Sequence, residues 1–107
     1  MKENGMSSLA VVEREVAALK VEVTEDELVV SLVDGRRVAA PIAWYPRLLH
    51  GSEEERNQHE LIGRGTGIHW PLLDEDLSIS GILRGNPSME SEESLQRWLD
   101  ARNRKAI

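Results

Sequence analysis

Three histidines, His50, His59 and His69, and the acidic run Asp74-Glu75-Asp76 are the residues best suited to chemistry in this sequence. Glu55 and His59 stand four apart, a spacing that puts both on one face of a helix and lets them share a metal. Against a metal centre, no two histidines stand at a chelating interval, and nothing resembles His-Glu-x-x-His. Asp74 and Asp76 could serve as paired acids in hydrolysis, but neighbouring carboxylates in a turn more often serve solvation and capping. Serine is present without the context of a nucleophile elbow, and cysteine is absent. The run Gly63-Arg64-Gly65-Thr66-Gly67 has the glycine content of a phosphate cradle. Such a cradle needs a helix N-terminus directly behind it, whereas Ile68-His69-Trp70-Pro71 reads as extended. These residues predict no catalytic centre, no metal and no cofactor.

The elements that would position them follow from hydrophobic period and turn chemistry. Leu9, Val12, Val16 and Leu19 recur at helical spacing behind Ser7 and Ser8, a short helix or irregular arm. Leu19, Val21 and Val23 alternate with Lys20 and Glu22, as in a half-buried strand. A second strand starts at Leu28, and Asp34-Gly35 turns the chain into a third. A three-residue loop, Val33-Asp34-Gly35, pairs Val30 with Val38 and Leu28 with Ala40. It gathers Leu28, Val30 and Leu32 on one face with Val38, Ala40 and Ile42. Pro41 ends that strand. Ser52-Glu53-Glu54-Glu55 is a capping box, opening a helix that closes near Leu61 and Gly63. Ile68-His69-Trp70 is a short strand stopped by Pro71, Asp74-Glu75-Asp76 is a turn, and Ser78 caps a single helical turn. A last helix, roughly Ser91 to Lys105, carries Leu95, Trp98, Leu99 and Arg102 on one stripe. The expected fold is α+β: an antiparallel sheet of three strands, extended to four by the Ile68 strand, with the Ser52 and Ser91 helices packed on it. The expected organisation is an arm over residues 1–17, a compact domain over 18–85 and an amphipathic helix over 86–107.

With 107 residues, 40% hydrophobic and 30% charged, the chain has the composition of one globular domain. The absence of cysteine excludes disulfides and thiolate chemistry. No apolar stretch reaches the length of a membrane span, and the first residues lack a signal-peptide core, so the expected location is the cytoplasm. The formal net charge of −6 disfavours broad contact with nucleic acid. Between His50 and Ser80 seven carboxylates face only Arg56 and Arg64. From Asn86 onward acids and bases balance, and Arg97, Arg102, Arg104 and Lys105 form a basic tip, the candidate nucleic-acid contact if the protein were a DNA-binding regulator.

The stretch from Leu28 to Gly85 resembles a bacterial family known as domain of unknown function 2442. The resemblance is carried by Leu28-Val29-Val30-Ser31-Leu32-Val33-Asp34-Gly35-Arg36, by Ile42 through Trp44-Tyr45-Pro46-Arg47-Leu48, and by Gly67-Ile68-His69-Trp70-Pro71-Leu72-Leu73-Asp74-Glu75-Asp76-Leu77-Ser78. It implies a small α+β protein with no established enzyme activity. Some members look like partners of toxin-like proteins, and some carry a helix-turn-helix domain after the shared region. Some twenty residues follow Gly85 here, too few for that domain. The expected role is a non-catalytic protein-binding module, antitoxin-like or a regulatory adaptor, for a basic toxin-like partner. Trp70 is expected as a core anchor. The expected partner surface uses Trp44, Tyr45, Arg47, Glu53, Glu54 and Glu60, since aromatic residues and arginine are favoured at interfaces.

Overall fold

A computed structural model describes residues 16–106. The proposed helix or arm of residues 1–17 lies almost wholly outside them. Strands β1 (Ala18–Val23), β2 (Glu27–Leu32) and β3 (Arg37–Pro41) form one antiparallel sheet in that order. A 3-10 turn (Ile42–Trp44) leads to two short helices, α1 (Pro46–His50) and α2 (Glu53–Asn57). A second antiparallel sheet follows, made of β4 (Glu60–Ile62), β5 (Gly67–Trp70) and β6 (Glu75–Ser78). Helix α3 (Ile79–Leu83) and the long helix α4 (Glu92–Ala106) complete the α+β fold.

The β2–β3 hairpin has the register that burial demands. Val30 faces Val38 and Leu28 faces Ala40, so Leu28, Val30, Leu32, Ala40 and Ile42 are all buried. Gly35 closes the loop at φ +98°, a left-handed conformation that costs glycine little. The Asp34 carboxylate accepts from the Arg36 amide at 3.0 Å. The β1 strand departs from simple alternation. A bulge between Ala18 and Lys20 shifts its register, so Ala18 turns inward and Leu19 is exposed. One extra residue on the bulged strand exchanges the faces on either side of it.

Three expectations are corrected. The Ile68 strand does not extend the first sheet; it is the middle strand of the second. The Ser52 helix ends at Asn57, and Glu60–Ile62 is a strand paired with β5. Of the acidic run only Asp74 belongs to the turn, since Glu75 begins β6. The first two trace to the glycine-rich segment, which is a hairpin connection between β4 and β5. Gly63, Arg64 and Gly65 all adopt positive φ there, turning the chain tightly enough for three residues of β4 to meet β5. Gly65 also lies against β1: a Cβ in its place would sit 2.9 Å from the Ala18 carbonyl oxygen.

One core joins the two sheets. Trp70 and Ile68 of β5 are fully buried in one apolar cluster with Leu28, Val30 and Leu32 of β2, Leu48 of α1, Leu73 and Ile79. The Trp70 indole donates to the Arg56 carbonyl at 3.1 Å, so its polar edge is satisfied at the end of α2. His59 ties the same point to the first sheet, its ring nitrogens 3.0 Å and 3.1 Å from the carbonyl oxygens of Arg56 and Val21. The capping box at Ser52 is present in both directions. Helix α4 docks on its own domain through Trp98.

Candidate functional site

The sequence places Tyr45 and Arg47 around the start of α1, where Pro46 occupies the first helical position with its fixed φ. The helix drives both side chains inward. Tyr45 is 1% exposed, and its hydroxyl has no hydrogen-bond partner among the described residues. An orphaned buried hydroxyl costs about 1–3 kcal/mol. Burial pushes its phenol pKa up.

Arg47 is largely enclosed, its side chain 13% exposed. Its Nε donates to the Glu90 carboxylate at 3.0 Å and its Nη2 at 2.6 Å. Nη1 donates to the carbonyls of Leu73 and Asp74 at 3.0 and 3.2 Å. Ser94 donates its hydroxyl to the same Glu90 carboxylate at 2.7 Å. The bond from Arg47 holds the Glu90 carboxyl below its ordinary pKa, more than burial raises it. The guanidinium also lies 4.9 Å from the centroid of the Trp98 ring, with Arg102 at 4.6 Å, both within cation–π reach. Arg102 in turn forms a two-pronged pair with Glu55 at 2.9 and 3.0 Å. This pair, with help from the Ser52 amide, lowers the Glu55 pKa to about 2. Helix α4 and the segment leading into it are therefore fastened by two arginine–carboxylate pairs, Arg47–Glu90 and Arg102–Glu55, with Trp98 between the two guanidinium groups.

Beside the Arg47–Glu90 pair opens a cleft of about 530 Å³ between β6, α3 and the segment leading into α4. Tyr45, Asp74, Glu75, Asp76 and Glu90 line it, with Leu77, Ile82 and Pro87 as apolar wall. The Glu75 Oε2 atom is buried with no hydrogen-bond partner among the described residues. Burial raises its pKa, Arg47 opposing and the charges of Glu90 and Asp76 adding to the rise. His69 is not part of the lining; on the neighbouring strand it meets Asp76 through a contact of 2.5 Å.

The expected partner surface is thus divided. Trp44 is 39% exposed, and Glu53, Glu54 and Glu60 all face solvent. Tyr45 and Arg47 do not belong with them, because the one packs into the core and the other is consumed by Glu90 and two carbonyls. The basic tip divides likewise. Arg97, Arg104 and Lys105 are exposed, but Arg102 is committed to Glu55 and Trp98. The Glu55–His59 metal pair is not formed, since His59 lies beyond the end of α2 and Glu55 is held by Arg102. Among the described residues no group of three or more histidines and carboxylates could hold a metal ion. None of their helices is long and apolar enough to cross a membrane. Sequence reasoning missed Glu90 and left Glu75 in a turn. Glu90 meets Arg47 across 43 positions, a pairing no local pattern announces, and Glu75 reads from its neighbours as one more solvated turn acid.

Comparison with known proteins bears on the fold and the family. A protein of unknown function from Rhodospirillum rubrum, solved by crystallography, is 29% identical and superposes with a TM-score of 0.62. The match covers 71% of this chain and 94% of that one. An uncharacterized protein from Chromobacterium violaceum, solved by NMR in solution, shares the fold at a TM-score of 0.62 and 19% identity, over 89% of each chain. No curated protein matches. The profile of the family described as protein of unknown function (DUF2442) matches residues 18–88, which include both sheets, the first three helices and most of the cleft. The chain belongs to that family.

Proposed function

We propose that this protein is a non-catalytic protein-binding module, an antitoxin-like or regulatory adaptor that meets a basic partner in the cytoplasm. The observation that carries this reading is how the middle of the chain distributes its charge. Arg56 turns inward, its Nε donating to the Leu48 carbonyl at 2.8 Å and its Nη2 to that of Leu49 at 3.0 Å. Glu53, Glu54, Glu60, Asp74 and Asp76 remain exposed, with only Arg64 as an exposed cation in the same stretch. The cations are spent on tying the fold together, and the acids are left for solvent or a partner. A basic surface would be steered onto such a face, chiefly through its association rate. Exposed Trp44 supplies an aromatic residue of the kind that anchors interfaces.

The test is cross-linking at native expression, followed by kinetics with the partner so captured. Replacing Glu53, Glu54 and Glu60 together by Lys should slow association at low salt by about tenfold or more, with the fold intact. Added salt should slow the wild type in the same way. A complex indifferent to both would overturn the proposal. So would salt-sensitive binding of the isolated protein to duplex DNA that neutralising Arg97, Arg104 and Lys105 abolishes and the Lys replacements leave untouched.

A further inference from the structure

We propose that the cleft between β6, α3 and the start of α4 recognises an organic cation, a guanidinium or ammonium group on an aliphatic stem. As the contact through which an arginine or lysine of the basic partner would be held, it rests on the preceding reading. Four carboxylates line the cleft, and the single arginine among them offers little to an anion. The nitrogens of Arg47 are already engaged by Glu90 and by the carbonyls of Leu73 and Asp74. Glu90 cancels that charge, and Asp76 is met by His69. Asp74, whose side chain is 93% exposed, lies at the mouth. Glu75 is left in the wall with a buried, unpaired oxygen.

A second and independent observation is Tyr45, almost wholly buried in the same lining, whose hydroxyl has no partner among the described residues. Its oxygen and Glu75 Oε2 are both unpaired acceptors buried just behind the cleft wall, and a small rotation of the Glu75 side chain would bring them to a donor-rich cation. Burial of Glu75 raises its pKa, so an arriving positive charge would stabilise the ionised form that burial disfavours. Leu77, Ile82 and Pro87 supply apolar surface for a stem, matching the way lysine and arginine bury their methylenes behind a charged head. The volume falls within the range of about 300–1,000 Å³ typical of ligand sites.

NMR titration of the full isotopically labelled chain tests this at constant ionic strength. The probes are a blocked tripeptide with a central arginine, the same peptide with neutral citrulline, and spermidine. The arginine peptide should shift the amides of Tyr45, Glu75 and Asp76, and the citrulline peptide should not. Glu75→Gln, which keeps the shape and removes the charge, should weaken binding by about tenfold. Tyr45→Phe, which keeps the packing, should weaken it by about threefold. Spermidine acting on the same amides where the arginine peptide fails would support the cation site and assign its source to a free polyamine. Equal shifts from arginine and citrulline peptides, or undiminished binding in a folded Glu75→Gln variant, would overturn the inference. Glu53, Glu54 and Glu60 lie outside the cleft, so a salt-sensitive complex could survive that result and the protein-binding reading with it.

Discussion

Replacing Glu55 by Gln should expose how much of the fold depends on the Arg102 pair. The Glu55 carboxyl is held at about 2 against an ordinary 4.5. At about 1.4 kcal/mol per pKa unit the full difference corresponds to ~3.4 kcal/mol. The side chains of Glu55 and Arg102 are 21% and 30% exposed, so solvent screening reduces the expected contribution to about 1–2 kcal/mol. Because the folded-state pKa is depressed, this stabilisation is fully present above the ordinary value of 4.5 and is lost as pH falls through about 2. Gln retains an oxygen that can accept from the Ser52 amide, so the capping box survives the change. Urea unfolding followed by tryptophan fluorescence, repeated from about pH 7 to about pH 2, should show a gap between wild type and variant that is widest near neutrality and closes in acid. Combining the variant with Arg102→Met, which keeps the stem on Trp98, should recover a coupling of about 1–2 kcal/mol at neutral pH. An offset that stays constant over the whole pH range, or a coupling near zero, would refute the reasoning.

Trp70→Ala removes a fully buried side chain and its bond to the Arg56 carbonyl; a loss of about 3–5 kcal/mol is expected in chemical denaturation. A midpoint that barely moves would show that Trp70 is no anchor. Gly65→Ala must adopt φ +88° with its new methyl 2.9 Å from the Ala18 carbonyl. A cost of about 1–3 kcal/mol should appear as a lowered unfolding midpoint, and an unchanged midpoint would show that the two sheets do not depend on this close approach.

The first sheet was legible because its information is local. Asp34-Gly35 specifies a turn, alternation specifies a face, and only one loop length puts Leu28, Val30 and Leu32 beside Val38 and Ala40. The second sheet was less legible. Glu60-Leu61-Ile62 is three residues long and has no alternation to read, and its pairing depends on three consecutive positive-φ residues, one of them Arg64. The same limit applies to function. Trp44, Glu53, Glu54 and Glu60 could be placed on the surface from their neighbours alone. Tyr45 and Arg47 could not, since Tyr45 is buried in a core drawn from distant elements and Arg47 is held by Glu90 and Leu73, far away in sequence. The cleft is assembled from residues between Tyr45 and Ser94, and no spacing rule joins them.

The division into two sheets has a consequence for how the molecule behaves among its own copies. A single six-stranded sheet would present two free edges, whereas two three-stranded sheets present four among the described residues: β1, β3, β4 and β6. Each free edge is a template on which another chain could pair. The sequence blunts them one by one. β1 carries the bulge, Lys20 and Glu22; β3 opens on Arg37 and ends on Pro41; β6 begins with Glu75-Asp76. β4 is the least defended, with Leu61 and Ile62 exposed behind a single Glu60, and its three residues offer too short a ladder to hold a second chain. Glu60 of β4 and Glu75-Asp76 of β6 thus oppose pairing of another chain along the second sheet, as the bulge and charges of β1 and the proline of β3 do along the first.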